Sequence, residues 1–389
     1  VAVDVTSKTS PRWFGPARWA VAAVFGFNGF QFSTWTSRVP AIATQVEADA
    51  GGLGIALTVS AVGMLVATPF AGRVRAWLGP RWSVLVPASG AALLLPAVGL
   101  VRTVTQLACV LFVLSGFVGI MNVASNLSGL AIARDLNRPV MPFFYGVAGL
   151  AGFGGAGASS FLAHAGWSPL EHFTAASAFS LLLLACSARF LPVFDEPDRA
   201  EHVRGGRARV QRRVLGFAVA AFVITLAEST AYDWFGLLLT RERGVTEAAT
   251  ASGLAVLSLV VAGLRLVGER VEAVVPTRVL LIGGAALAAS GMVLIATNAL
   301  PGFVVAAYAV VGAGVAYLYP AVVGQINSGT ATQTNMSVVA WANSLGYAVG
   351  PILVGTLAER LSITTGVLVV ACVLVAGISI TLPMTARRR

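Results

Sequence analysis

Long apolar runs recur along the whole chain, separated by short breaks of proline, glycine and arginine. They fall near 17–42, 53–74, 82–101, 105–133, 142–165, 170–193, 214–240, 247–268, 278–298, 302–327, 335–358 and 363–384. Each is close to the roughly 20 residues a helix needs to cross a bilayer, so the pattern predicts twelve transmembrane helices. The breaks are of the kind that ends helices: Pro80-Arg81, Arg102, Arg134 to Pro139, Gly166 to Pro169, Arg241 to Gly244, Pro276 to Arg278 and Pro301-Gly302. Between Arg278 and Glu359, 80 consecutive residues carry no Asp, Glu, Lys or Arg, which only lipid and packed helices tolerate.

Composition removes other classes. The 389 residues are 57% hydrophobic and 11% charged, with a mean hydropathy of +0.83, against roughly 25% charged in soluble domains. That excludes a soluble enzyme. The net charge of +10 invites a nucleic-acid partner, but the basic residues sit in short clusters between apolar runs and not on one face, so no nucleic acid is expected. With the N-terminus in the cytoplasm, 21 Lys and Arg fall on that side and 5 on the other, which places both termini in the cytoplasm of a multi-pass protein. Basic residues that are all arginine except Lys8 point to a GC-rich bacterial genome, hence to the cell inner membrane. Ala41-Ile42-Ala43 looks like a signal-peptide cleavage site, but the apolar run before it is too long. Cys109, Cys186 and Cys372 lie singly in apolar runs and read as small core residues, with no disulfide and no metal. His164, His172 and His202 lack ligand spacing, so no cofactor is expected.

A shift of 197 residues aligns Arg73-Val74-Arg75-Ala76 with Arg270-Val271-Glu272-Ala273, Arg81 with Arg278, and Gly149 with Gly346. These fall after spans 2 and 8 and in spans 5 and 11, so the chain reads as two parallel six-helix repeats. The repeats are residues 1–194 and 214–389, joined by a cytoplasmic linker, 195–213. Secondary transporters use this organisation, with a midplane site between the halves.

Gly72-Arg73-Val74-Arg75-Ala76-Trp77-Leu78-Gly79-Pro80-Arg81 resembles the loop signature of the major facilitator superfamily, with a degenerate copy around Gly268-Glu269-Arg270. Trp35-Thr36-Ser37-Arg38-Val39-Pro40, Ala227-Glu228-Ser229-Thr230-Ala231-Tyr232-Asp233-Trp234, Gly346-Tyr347 and Gly350-Pro351 are similar to motifs of its MosC-like, rhizopine-transporter-like branch. The resemblance implies the all-α major facilitator fold, two pseudo-symmetric six-helix bundles, with spans 1, 4, 7 and 10 lining a cavity. It assigns Arg73, Arg81 and Arg270 to gating at the cytoplasmic face. The chain departs from the family at Ala76, where the signature has an aspartate, and at Phe112, where span 4 often has an arginine.

Ionisable residues inside a membrane are costly, and few occur here. Glu228 lies about 14 residues into span 7, or ~21 Å at 1.5 Å per residue, slightly beyond the midplane. It is the candidate proton-coupling carboxylate, the alternative being a buried acid satisfied by neighbouring hydroxyls. Asn28, Gln31, Trp35 and Arg38 fall within an arc of about 80° on span 1. Asn122 and Asn126 on span 4, Tyr232 on span 7, Tyr317 on span 10, and Trp341, Asn343 and Tyr347 on span 11 complete a candidate cavity. Amides with aromatics suit a hydroxylated or ring-bearing solute; helix-to-helix hydrogen bonding is the alternative for each amide. Arg38 and Asp233 are expected to pair across spans 1 and 7 as an outer gate. Gly152, Gly154 and Gly157 match a dinucleotide-loop pattern but follow no strand, and read as close helix packing.

The chain therefore reads as a proton-coupled secondary transporter, not an enzyme, moving a small polar organic solute by alternating access as a monomer. Efflux of an amphipathic metabolite or antibiotic is the alternative within that class. A membrane-embedded enzyme would need a catalytic constellation, and a transport-fold sensor an appended signalling domain. A reporter fused after Gly206 should be cytoplasmic and one near Asn298 exported; both on one side would overturn the twelve-span topology.

Overall fold

The computed structural model describes residues 15–136, 140–191, 212–268, 271, 274–325 and 332–384. Among these, every regular element is a helix. The first half holds α1 (Pro16–Ser37), α2 (Val39–Gln45), α3 (Ala50–Ala67), α4 (Ala71–Leu100), α5 (Val104–Asp135), α6 (Met141–His164) and α7 (Pro169–Ala188). The second holds α8 (Arg212–Asp233), α9 (Phe235–Arg243), α10 (Glu247–Leu266), α11 (Thr277–Thr297), α12 (Pro301–Val315), α13 (Leu318–Gly324), α14 (Thr332–Arg360) and α15 (Ile363–Thr381). All twelve expected runs lie on these helices, with α1–α2, α8–α9 and α12–α13 each forming one run broken by a kink. Ten stretches of the described residues are long and apolar enough to cross a membrane; one, Ala50–Leu100, carries two expected runs. The polar stripe of α1 keeps it off that set.

Neighbouring runs point in opposite directions, so the bundle has two ends. One carries Gly15 and Thr381 and is termed the terminal end; the other, the far end, carries the turns before α3, α5, α7, α10, α12 and α15. Polar caps concentrate at the far end. Asp49 accepts from Gly52 N, Thr103 from Gln106 N, Thr246 from Ala249 N and Ser362 from Thr365 N. Ser168 and Glu171 form a reciprocal capping box at the start of α7, where Pro169 needs no donor partner. Each cap satisfies an N–H that the first helical turn leaves open.

Packing repeats between the halves. The pairs α1·α6, α3·α5, α4·α5, α4·α7 and α1·α7 have the counterparts α8·α14, α10·α12, α11·α12, α11·α15 and α8·α15. Across the halves, α6 packs on α10 and α3 on α14, again an equivalent pair. Glycine permits the close crossings: Gly29 lies against the Ala148 carbonyl, and Gly155 against that of Phe30. Of the glycines in the dinucleotide-like pattern, Gly152 meets Ser33 on α1, whereas Gly154 and Gly157 face open space, so only the first is a packing residue.

Two expectations are corrected. The segment after span 2 is mostly helix and not a loop: a single 3-10 turn at Thr68–Phe70 leads into α4, whose two helical stretches meet at a kink at Gly79, φ 77°. Cys109, Cys186 and Cys372 are exposed and not core. An apolar neighbourhood does not imply burial in a membrane bundle, because the lipid-facing surface is apolar too.

Gly29→Leu should lower the thermal midpoint or abolish folding, because its side chain would meet the α6 backbone. Gly154→Ala should be neutral or stabilising by up to ~1 kcal/mol, measured as detergent-solubilised thermal unfolding.

Candidate functional site

At mid-bundle, polar side chains of the two halves approach one another, Tyr145 of the first half lying in electrostatic range of Arg265 and Tyr319 of the second. On the first half, Asn28 Nδ2 donates to Asn122 Oδ1 at 2.8 Å, Asn126 Nδ2 to the Asn122 carbonyl at 2.8 Å, and the Tyr145 hydroxyl to Asn126 Oδ1 at 2.8 Å. One connected ladder thus joins α1, α5 and α6. Of the remaining span 1 stripe, Gln31 and Trp35 are buried, Trp35 within the apolar core, because the helices close around this part of α1.

On the second half, Arg265 Nη2 donates to Glu228 Oε1 at 3.0 Å, and Arg265 Nε to the Ala316 carbonyl at 3.2 Å, at the α12–α13 kink. The guanidinium is 37% exposed and the carboxylate 14%. Tyr232 hydrogen-bonds Ser258 and lies in electrostatic range of Glu228 and Arg265, as does Tyr347. Tyr319 senses both Glu228 and Tyr145 of the opposite half. Tyr317 donates to the Leu264 carbonyl at 2.7 Å, and Asn343 accepts from Thr225. Trp341 is 65% exposed. Phe32 and Tyr232 meet edge to face across the halves, with centroids 5.1 Å apart.

The far end is closed. Arg38, at the α1–α2 kink and 2% exposed, reaches Glu247 Oε1 at 3.2 Å, the Trp167 carbonyl at 3.0 Å and His172 Nδ1 at 3.3 Å. The expected Arg38–Asp233 pair is therefore corrected: the kink turns Arg38 toward the first turn of α10, where Glu247 stands, while Asp233 lies near Tyr347. Among the described residues no cation pairs with Asp233. Arg241 also crosses the halves, donating to the Ala48 carbonyl at 2.8 Å, and Ser160 meets Ser252 at 2.6 Å. Gly54 and Gly355 seat α3 on α14 backbone to backbone.

At the terminal end the signature arginines stay within their own half. Arg81 donates to the Arg189 and Leu191 carbonyls at 3.0 and 3.2 Å, and Arg73 lies over the Phe70 ring. Arg270 lies outside the described residues, as do His202 and most of the expected linker.

Sequence reasoning missed four groups of the site. Arg265 was counted among the cytoplasmic arginines because it closes an apolar run, and Glu247 opens one and reads as a helix start. His172 stands out only as a histidine without ligand spacing, and Tyr145 only as one aromatic residue in an apolar run. Nothing in their spacing shows which way their side chains turn.

Arg265→Gln leaves Glu228 without its counter-charge, and should lower stability by roughly 1–3 kcal/mol for a pair this exposed. Adding Glu228→Gln should recover most of that loss in a thermal double-mutant cycle; additive losses would show that the two do not act as a pair.

The sequence profile of the Major Facilitator Superfamily matches residues 21–333. An uncharacterised MFS-type transporter of Yersinia pestis is 27% identical over 87% of this chain and 88% of its own. The membrane protein MosC of Rhizobium meliloti is 26% identical over 91% and 86%. Among solved structures, a mutant of the nucleoside transporter NupG superposes with a TM-score of 0.77 at 13% identity, covering 95% of this chain and 100% of that one. A bacterial homologue of the human lysosomal transporter Spinster, inward-facing and occupied, gives 0.71 at 14% identity over 94% and 96%. The helix pairing repeated between the halves and these matches lead to one conclusion: the chain belongs to the Major Facilitator Superfamily, and it is a membrane transporter and not an enzyme.

Proposed function

We propose that this transporter moves a small polar organic solute across the inner membrane by alternating access, coupled to protons through Glu228. The observation that carries this reading is the Glu228–Arg265 pair, held in electrostatic range of Tyr145 in the Asn28–Asn122–Asn126–Tyr145 ladder of the other half; in this reading the solute chamber lies between them. The ladder and the tyrosines offer donors, acceptors and ring faces on opposing walls, which suits a hydroxylated or ring-bearing solute that must touch both halves to draw them together.

Residues 1–194 and 214–389 act as two rocking bodies joined by 195–213, in a monomer with both termini in the cytoplasm. In that orientation the closed far end faces outward, and the chamber is reached from the cytoplasm. Opening the far end requires Arg38 to leave Glu247 and α3 to part from α14. Asp233, Arg73, Arg81 and Arg270 remain candidates for gating contacts in the opposite state.

Coupling follows from the pair. An ionised Glu228 holds Arg265; a proton on Glu228 removes the charge that holds it and frees the guanidinium toward the chamber. Binding and proton uptake then act on the same few atoms, as obligatory exchange requires. Glu228→Gln keeps size and hydrogen bonding but cannot titrate. In proteoliposomes the variant should still exchange labelled solute between equal pools yet lose accumulation driven by a pH gradient. Wild-type accumulation would make the carboxylate structural.

A further inference from the structure

The far-end closure contains a group that the transport reading leaves without a role. His172, in the first turn of α7, is 1% exposed and lies beside Phe173. Its Nδ1 faces two donors, Arg38 Nε at 3.3 Å and Ser159 Oγ at 3.4 Å, while Nε2 is buried with no partner. A guanidinium only donates, so Nδ1 must accept. The closed arrangement therefore admits only the neutral ring, with its proton on Nε2.

Arg38 places its other N–H groups on the Trp167 carbonyl and on Glu247. One guanidinium thus ties the α1–α2 kink and the α6–α7 turn of the first half to α10 of the second. Its orientation is set from three sides, and His172 is the only one of its three partners that can turn from acceptor into cation.

We infer that His172 makes this latch acid-sensitive: a proton on Nδ1 sets N–H against N–H and a second positive charge against Arg38, releasing Arg38 from Glu247 and favouring an open far end. The sign follows from linkage. An open far end exposes the ring to water, where a histidine protonates near pH 6.5. Below that range the open state takes up a proton that the closed state refuses, so falling pH favours opening, by up to about tenfold in the open-to-closed ratio per pH unit. Above it the latch is at full strength.

At the far ends of the elements α4, α6, α7 and α10 the charged or titratable groups besides His172 are Arg102 just after α4, His164 at the end of α6, Glu171 in the first turn of α7 and Glu247 in the first turn of α10; Arg73, Arg75, Arg81, Tyr145, Cys186 and Arg265 lie further along these helices. Glu171 is engaged with Ser168 in the capping box. Glu247 is the competing origin of an acid response, since its protonation would also weaken the latch.

The inference rests on the reading that the far end opens during transport, and the experiment separates the two. Cys109, Cys186 and Cys372 are replaced by serine, spin labels are placed at Ala165 and Leu361, exposed far-end positions on opposite halves, and distances are measured in nanodiscs without solute. Between pH 7.5 and 5.5 the long-distance population should rise by up to about tenfold relative to the short one. His172→Asn keeps an acceptor for Arg38 but cannot titrate, and should reduce the response to about twofold or less; His172→Gln serves the same purpose if that variant folds poorly. Glu247→Gln should shift the population toward open at pH 7.5 and retain an acid response through His172. An unchanged response in both histidine variants, or its loss only in Glu247→Gln, would overturn the inference in favour of Glu247. If Glu247→Gln opens the far end but acid does not open the wild type, the inference fails and the transport reading stands. If no variant or pH produces a long distance, both fail.

Discussion

A bilayer offers no hydrogen-bond partner to a peptide group, and this constraint decides the form of the molecule. Every described regular element is helical because a helix alone satisfies its backbone within the segment. Side chains close the exceptions at helix starts, as Ser168 and Glu171 do for α7 and the Glu242 carboxylate does for Ile363 N and Thr364 N of α15. Where helices kink, polar groups gather: Arg38 marks the α1–α2 break, Asp233 precedes the α8–α9 break, and Ala316 at the α12–α13 break gives its carbonyl to Arg265.

The same constraint governs the charges. An ion deep in the bundle is tolerated when it meets an opposite one, and two ion pairs among the described residues have different settings. Arg38–Glu247 joins the halves at the closed end, with the arginine almost fully buried. Glu228–Arg265 stays within the second half and lies in range of Tyr145 of the first, with its arginine more than a third exposed. Within one network of helices, the first suits a latch and the second a site that must admit solute and water.

Closure at the far end draws on contacts of several kinds. Gly54 and Gly355 let α3 and α14 approach backbone to backbone, Ser160 and Ser252 share a hydrogen bond, and Arg241 reaches the Ala48 carbonyl. None needs deep burial of charge, so apart from the Arg38 cluster this interface can separate without stranding an ion. The α6–α10 contact instead runs the length of the helices, from Gly146 against Leu266 to Ser160 against Ser252. Under the proposed alternating access, that continuity would serve as the axis about which the halves rock while α3 and α14 part.

Hydrophobic length and arginine spacing by themselves determined the number, positions and helical nature of the runs, because spanning a bilayer is a local property of about 20 residues. The internal repeat and the motif residues pointed to the superfamily, and the amides of α1 and α5 and Glu228 were legible as rare polar groups in apolar runs. Pairing was not legible. Arg265 looked like one more positively charged residue at the end of a span until α8 and α10 packed side by side and brought it to Glu228. Arg38 was sought by Asp233 on residue count, but a kink of one residue, Arg38 itself at φ −103° and ψ 3°, turned it to Glu247 and His172. Trp35 and the three cysteines show the same limit: an apolar sequence says that a residue avoids water, and only the packed bundle decides whether lipid or protein replaces it.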